Sequence, residues 1–214
     1  MIKCDLFPYD QTAMPMRLFS SSNVGVRKLT PTYRADPAVA KQVAIADTMR
    51  NAELGGNCFH EDTFVYVEEK NITGTNLKKI MFLQVGDKVL SRCEATGEMA
   101  YKRVTKVFEH GGTQIYEMCC KYGPEISPEL AKHKYTFVTG EHPFWVQGKG
   151  WVKVRDLQVG DVMSTCNDVY VELEFVRAIT NFYPHVWNIE VEDFHTYFVD
   201  HGLWVHNKTK VEAR

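Results

Sequence analysis

The sequence has no long hydrophobic run: apolar stretches such as Ile80-Met81-Phe82-Leu83 fall far short of the roughly 20 residues a membrane-spanning helix needs. The start, Met1-Ile2-Lys3-Cys4-Asp5, lacks the apolar core of a signal peptide, so neither a secretory signal nor a transmembrane segment is expected. There is also no excess of charge of one sign. With 25 Lys and Arg against 27 Asp and Glu, the formal net charge is -2, and no basic stripe is present to neutralise phosphates, which argues against a nucleic-acid partner. The six cysteines lack the spacing of a metal site or a disulfide framework, and the adjacent pair Cys119-Cys120 cannot bridge without strain. A reducing site of synthesis follows, with Cys93, Cys119, Cys120 and Cys166 packing as small hydrophobes and no metal or cofactor expected.

What the chain does have is a repeat. Leu-Gln-Val-Gly-Asp occurs at Leu83 to Asp87 and again at Leu157 to Asp161. Upstream, Phe64-Val65-Tyr66-Val67 answers Phe144-Trp145-Val146; downstream, Ile115-Tyr116-Glu117-Met118 answers Val186-Trp187-Asn188-Ile189. A solenoid needs three or more units, so two copies indicate two halves of one pseudo-symmetric β domain. Each Val-Gly-Asp suits a tight turn closed by side-chain-to-backbone hydrogen bonds, which gives both pentapeptides a structural role.

The 214 residues, 44% hydrophobic, fit one domain with an appendage. Residues 1-57 read as an N-terminal flanking segment: Asp36-Pro37 resembles a helix cap, a short helix is expected over about 38-50, and Gly55-Gly56 forms a flexible joint. From Cys58 onward, β-branched and aromatic residues recur in short runs split by Gly, Asn, Asp and Pro, an all-β pattern that ends at Asn207. Residues 208-214 are a charged tail.

The reactive candidates lie where the two copies differ. Cys58 opens the β domain, Thr139 and His142 precede Phe144, and His206-Asn207 closes the domain. Singly, each is what a core thiol, a satisfied histidine or a turn supplies. Together, a Cys at the first position and an Asn at the last can each attack a carbonyl of the adjoining main chain, which is self-directed chemistry.

The ordered set Cys58-Phe59-x-x-x-Thr63, Thr139-x-x-His142, His195 within Val191 to Phe198, and Val205-His206-Asn207 resembles the Hint (hedgehog/intein) superfamily. Ala100 to Val104, Glu141-His142-Pro143-Phe144 and Gly148-Lys149-Gly150-Trp151-Val152 are most similar to the pretoxin Hint and bacterial intein-like domains of polymorphic toxins. Over residues 58-207 the resemblance implies a horseshoe-shaped all-β fold with an internal two-fold. It also implies single-turnover self-cleavage. Cys58 would attack the Asn57 carbonyl to form a thioester, with Thr139 holding the geometry and His142 protonating the leaving nitrogen at a proton affinity near neutrality. Asn207 would cyclise and cleave the Asn207-Lys208 bond, assisted by His206 and His195, with Asp193 as one candidate to orient His195.

Two departures shape the expectation. Ligation of the flanks requires Cys, Ser or Thr after the terminal Asn, and this chain has Lys208, so cleavage is expected over splicing. Asn57 is bulkier than the small residue many relatives carry before the nucleophile, so it is expected either to slow the first step or to cyclise through its own amide. The implied substrate is the domain's own flanking polypeptide, with a monomer expected, made in a bacterial cytoplasm and exported within a larger secreted toxin. A tail of seven residues is no toxin, so the effector is expected in a longer gene product or as a lost part. Two other readings are a silent Hint module serving as spacer or binding domain, and a hedgehog-type domain; the terminal Asn207 disfavours the latter.

Overall fold

The computed structural model describes residues 56-123 and 132-207. The expected helix over 38-50, the rest of the N-terminal segment and the tail after Asn207 lie outside these residues. As the run pattern implied, the described chain is built from antiparallel strands. One sheet has seven, in the order β10 (Val171–Ala178), β6 (Ile115–Tyr122), β7 (Lys132–Thr139), β1 (Phe59–His60), β11 (Val186–Val191), β5 (Met99–His110) and β4 (Lys88–Arg92). The other has six: β3 (Leu77–Lys79), β2 (Phe64–Tyr66), β12 (Thr196–Val199), β13 (Leu203–His206), β8 (Pro143–Val146) and β9 (Gly150–Lys153). Every residue of β12 and β13 is buried, so these strands read as unbroken apolar runs rather than alternating ones.

The two pentapeptides form turns closed by the same hydrogen bonds. In the first, Asp87 N–H donates to the Gln84 carbonyl at 3.1 Å and the Asp87 carboxylate accepts from Gln84 N–H at 2.8 Å. In the second, the same bonds join Asp161 and Gln158 at 3.0 Å each. Gly86 and Gly160 hold φ of 102° and 89°, left-handed backbone that only glycine adopts without strain. Each aspartate also pairs with a lysine, Asp87 with Lys78 at 2.7 Å and Asp161 with Lys149 at 2.5 Å.

The repeat extends to strand register, with one correction to the sequence alignment. Lys79 and Lys153 each lie four residues before the leucine of their pentapeptide; Lys79 pairs with Phe64, whereas Lys153 pairs with Pro143. Val65, not Phe64, is therefore the counterpart of Phe144, and both are fully buried. Alignment by residue identity matched phenylalanine to phenylalanine and slipped by one, which in a strand would exchange the two faces. Further upstream, Ile80 N–H donates to Thr63 and Val154 N–H to His142, while Thr63 N–H donates to His60 and His142 N–H to Thr139. Thr63 thus corresponds to His142, His60 to Thr139, and Cys58 to Phe137. The downstream match holds as aligned: β1 sets His60 against Val186, and β6 sets Ile115 against Thr139.

Among the described residues, the β12-β13 hairpin is the element without a counterpart, and it pairs with both halves. Val199 pairs with Val65 of β2 and Val205 with Phe144 of β8, the two equivalent positions. One apolar cluster runs from Val65, Ile80 and Val89 through Tyr197, Val199 and Val205 to Phe144, Val154 and Leu157.

The turns give a stability prediction. Asp161 is almost wholly buried and Asp87 partly exposed. Asp161→Ala is expected to cost about 2 kcal/mol and Asp87→Ala about 1 kcal/mol, read from the midpoints of urea unfolding.

Candidate active site

The N-terminal junction is fixed by β1, whose two residues fit between β7 and β11, with Phe59 opposite both Val138 and Trp187. This sets Cys58 against the end of β7. Cys58 N–H donates to the Thr139 hydroxyl at 2.8 Å, and Thr139 N–H donates to the Cys58 carbonyl at 2.9 Å. The same hydroxyl donates to the Gly56 carbonyl, so one threonine side chain grips the backbone on both sides of the Asn57-Cys58 bond. A tight turn then carries the chain to His142, whose ring lies 4.2 Å from that of Phe59 and is 0% exposed. Cys58 itself packs with Ile115 and Val186.

The C-terminal junction is set by the hairpin. Thr196 pairs with His206, and Asn207 N–H donates to the His195 carbonyl at 2.9 Å. His195 adopts φ of 55°, which turns its carbonyl toward the end of β13. Trp151 of β9 stands perpendicular to His206, centroids 4.9 Å apart. The Asn207 side-chain nitrogen is buried and has no hydrogen-bond partner among the described residues, an exception to the rule that buried polar atoms are paired.

The two ends of the described β structure approach each other at His142 and His206. Val205 on β13 pairs with Phe144, two residues after His142, and charge on His206 disfavours protonation of His142. Thr139 holds the backbone around Asn57 and Cys58, and His142 lies within electrostatic reach of His206, the neighbour of Asn207. His195 enters through its main chain, with a half-buried ring. Asp193 does not orient it: its carboxylate pairs with Lys102 at 2.8 Å. Among the described residues, the ligand atoms able to hold a metal gather only at His60, Glu61 and Asp62, outside this set, and Asp62 already pairs with Lys79 at 2.6 Å.

The pretoxin Hint domain model matches residues 70-208, a span that begins downstream of Cys58 and contains Thr139, His142, His206 and Asn207. The chain belongs to the pretoxin Hint family. Among solved structures, this Hint domain is similar to the bacterial intein-like domain from Clostridium thermocellum, at 29% identity and a TM-score of 0.58, covering 70% of this chain and 98% of that one. The gp41-1 intein is 22% identical with a TM-score of 0.53, over 71% of this chain and 99% of the intein. A DnaB intein from Synechocystis is 16% identical with a TM-score of 0.55, over 71% and 99%. These last two share the fold. No curated protein matches. Intein-like Hint domains act on the polypeptide that carries them, so the family brings a capacity for self-processing.

The electrostatics of the Hint site differ from the sequence expectation. Burial pushes the Cys58 thiol up to about 12, and burial pushes the His142 imidazole down to about 3, the Asn57 main chain opposing the shift and His206 adding to it. The favourable effect of Asn57 has the sign of a carbonyl facing the ring. His142 is therefore neutral at neutral pH, and the resting site holds a thiol and an uncharged imidazole rather than a thiolate and a preformed acid. Sequence reasoning used the ordinary histidine value, because burial of His142 arises from Phe59, Phe144 and Tyr197, which strand pairing brings around it.

Outside the site, burial also pushes His201 down to about 3 and Asp200 up to about 6, Asp200 accepting from Thr136 at 2.7 Å and from Phe64 N–H at 3.0 Å. These residues form the tip of the hairpin, and no sequence signal singled them out.

Two predictions follow from these shifts. At pH 8, iodoacetamide should label Cys93, which is partly exposed and has its thiol lowered by hydrogen bonds from Thr96, while Cys58 stays unmodified until the chain is unfolded, as read by peptide mass mapping. Second, two buried neutral histidines must take up protons on unfolding, so their contribution is complete above the unfolded value of 6.5 and declines as pH falls toward about 3. Asp200 acts oppositely, since its folded state holds the proton between about 6 and 3.8 and offsets one histidine there. Urea midpoints should therefore fall below pH 6.5, with a limiting slope of about 1.4 kcal/mol per pH unit per uncompensated histidine.

Proposed function

We propose that this domain cleaves its own flanks, chiefly at the Asn207-Lys208 bond, and so releases a C-terminal effector of a toxin polypeptide. The observation that carries the reading is the meeting of the two ends: Cys58 on Thr139 and Asn207 on His195, with His142 and His206 close enough to repel when charged.

At the C-terminal junction, the Asn207 side-chain amide nitrogen bonds to the main-chain carbonyl carbon of Asn207, the bond from that carbon to the Lys208 nitrogen breaks, and the proton lost by the amide is delivered to the Lys208 nitrogen, leaving a succinimide and a free amine. The buried, unpaired amide group supports this role, because it is spared the hydrogen bond it would otherwise have to break. His206 is the proton donor to the leaving amine, and the His195 carbonyl holds the Asn207 main chain in place. At the N-terminal junction, the Cys58 sulfur bonds to the Asn57 carbonyl carbon, the bond to the Cys58 nitrogen breaks, and the thiol proton ends on that nitrogen. With His142 neutral, it takes the thiol proton first and then passes it to nitrogen, while Thr139 holds the nitrogen in place. The resulting thioester is resolved by water or an added thiol.

Lys208 offers no hydroxyl or thiol to accept the acyl group, so the products are separated flanks. A thiol held at about 12 makes the first junction the slower of the two.

The test fuses a soluble partner after Arg214 and follows intact mass with time under reducing conditions. The wild type should release the partner at Asn207-Lys208; Asn207→Ala should slow this by about a hundredfold or more. Cys58→Ala should leave the C-terminal cut in place and abolish thiol-induced cleavage at Asn57-Cys58. Full mass retained over days in the wild type would establish a silent Hint module instead.

A further inference from the structure

We infer that Trp151 is a positioning residue for His206, an aromatic wall that fixes the penultimate imidazole for cleavage at Asn207; the inference rests on the processing activity proposed above. Three tryptophans from three strands form this wall. Trp145 and Trp151 meet edge to face with centroids 5.0 Å apart, Trp151 and Trp204 lie at 5.0 Å, and Trp145 and Trp204 at 4.9 Å. Trp151 is held at its far end as well, its indole N–H donating to Glu94 at 3.1 Å. Its other neighbour is His206, perpendicular at 4.9 Å.

The placement is set by register. Trp145 pairs with Trp151 across β8 and β9, while Val205 pairs with Phe144, so β9 is one strand removed from β13 and the Trp151 ring spans the gap to His206. Leu77 takes the corresponding place in the first half, where no histidine has to be held; it packs in the same aromatic cluster as Trp151. A perpendicular ring pair restricts rotation of the imidazole plane, and an indole lowers the energy of an adjacent cation. Both effects favour a His206 that is oriented and charged when the Lys208 amine departs.

The experiment uses the full chain with its C-terminal fusion and reads both junctions in each variant. Trp151→Ala should slow release at Asn207-Lys208 about tenfold and move the midpoint of its pH profile by about half a unit toward acid. Thiol-induced cleavage at Cys58 should stay within about threefold of wild type, which also reports that the domain is folded. Trp151→Phe, which keeps a ring face, should recover most of the C-terminal rate; Trp151→Leu, which keeps apolar bulk alone, should not, and it replaces the alanine variant if that one fails to fold. Equal slowing of both junctions, an unmoved pH profile, or a leucine variant as fast as phenylalanine would overturn the positioning role. Failure of the proposed function is seen separately, as no release from the wild type.

Discussion

The pairing of the β12-β13 hairpin with β2 on one side and β8 on the other is the constraint from which the rest of this molecule follows. Val199 and Val205 dock on Val65 and Phe144, equivalent positions of two repeated halves, so the hairpin closes the pseudo-symmetric structure across its axis. Because His206 ends β13, closing the structure also brings it within electrostatic reach of His142, in the turn after Thr139.

The same closure determines the chemistry by excluding water. His142 is enclosed by three aromatic rings, and Cys58 lies under Ile115 and Val186. In such surroundings charge is costly, so the thiol rises, the imidazole falls, and both rest uncharged. A resting pair of this kind does not react indiscriminately with outside electrophiles. Asn207 is treated differently: its amide is buried without a partner, and that exception to good packing lies at the second junction.

The arrangement came from one fold unit used twice and then made unequal. His142 stands where the first half has Thr63, Thr139 where it has His60, and Cys58 where the second half has Phe137, while the turns at Asp87 and Asp161 kept their hydrogen bonds and lysine partners. Scaffold positions stayed alike because both halves need the same turn and the same docking surface. The positions of Cys58, Thr139 and His142 carry different residue types in the two halves. This is why the pentapeptide was legible in the sequence as architecture, and why Cys58, His142 and Asn207 stood out against it. The one-residue slip in matching Phe64 to Phe144 has the same origin: side-chain identity was compared, whereas the fold conserves the backbone pairing of Lys79 and Lys153.

By itself, the sequence determined the all-β class, the internal duplication, the turn at each Val-Gly-Asp and the residue types able to attack or protonate a main-chain carbonyl. These are local properties, written in alternation, in glycine placement and in the chemistry of single side chains. Only the tertiary structure decided that His142 is neutral, that Asp193 serves Lys102, that His195 contributes its carbonyl, and that a tryptophan from β9 faces His206. Each depends on which distant segments are packed around a group, and burial, charge partnership and ring contact are set by pairings between residues far apart in the chain.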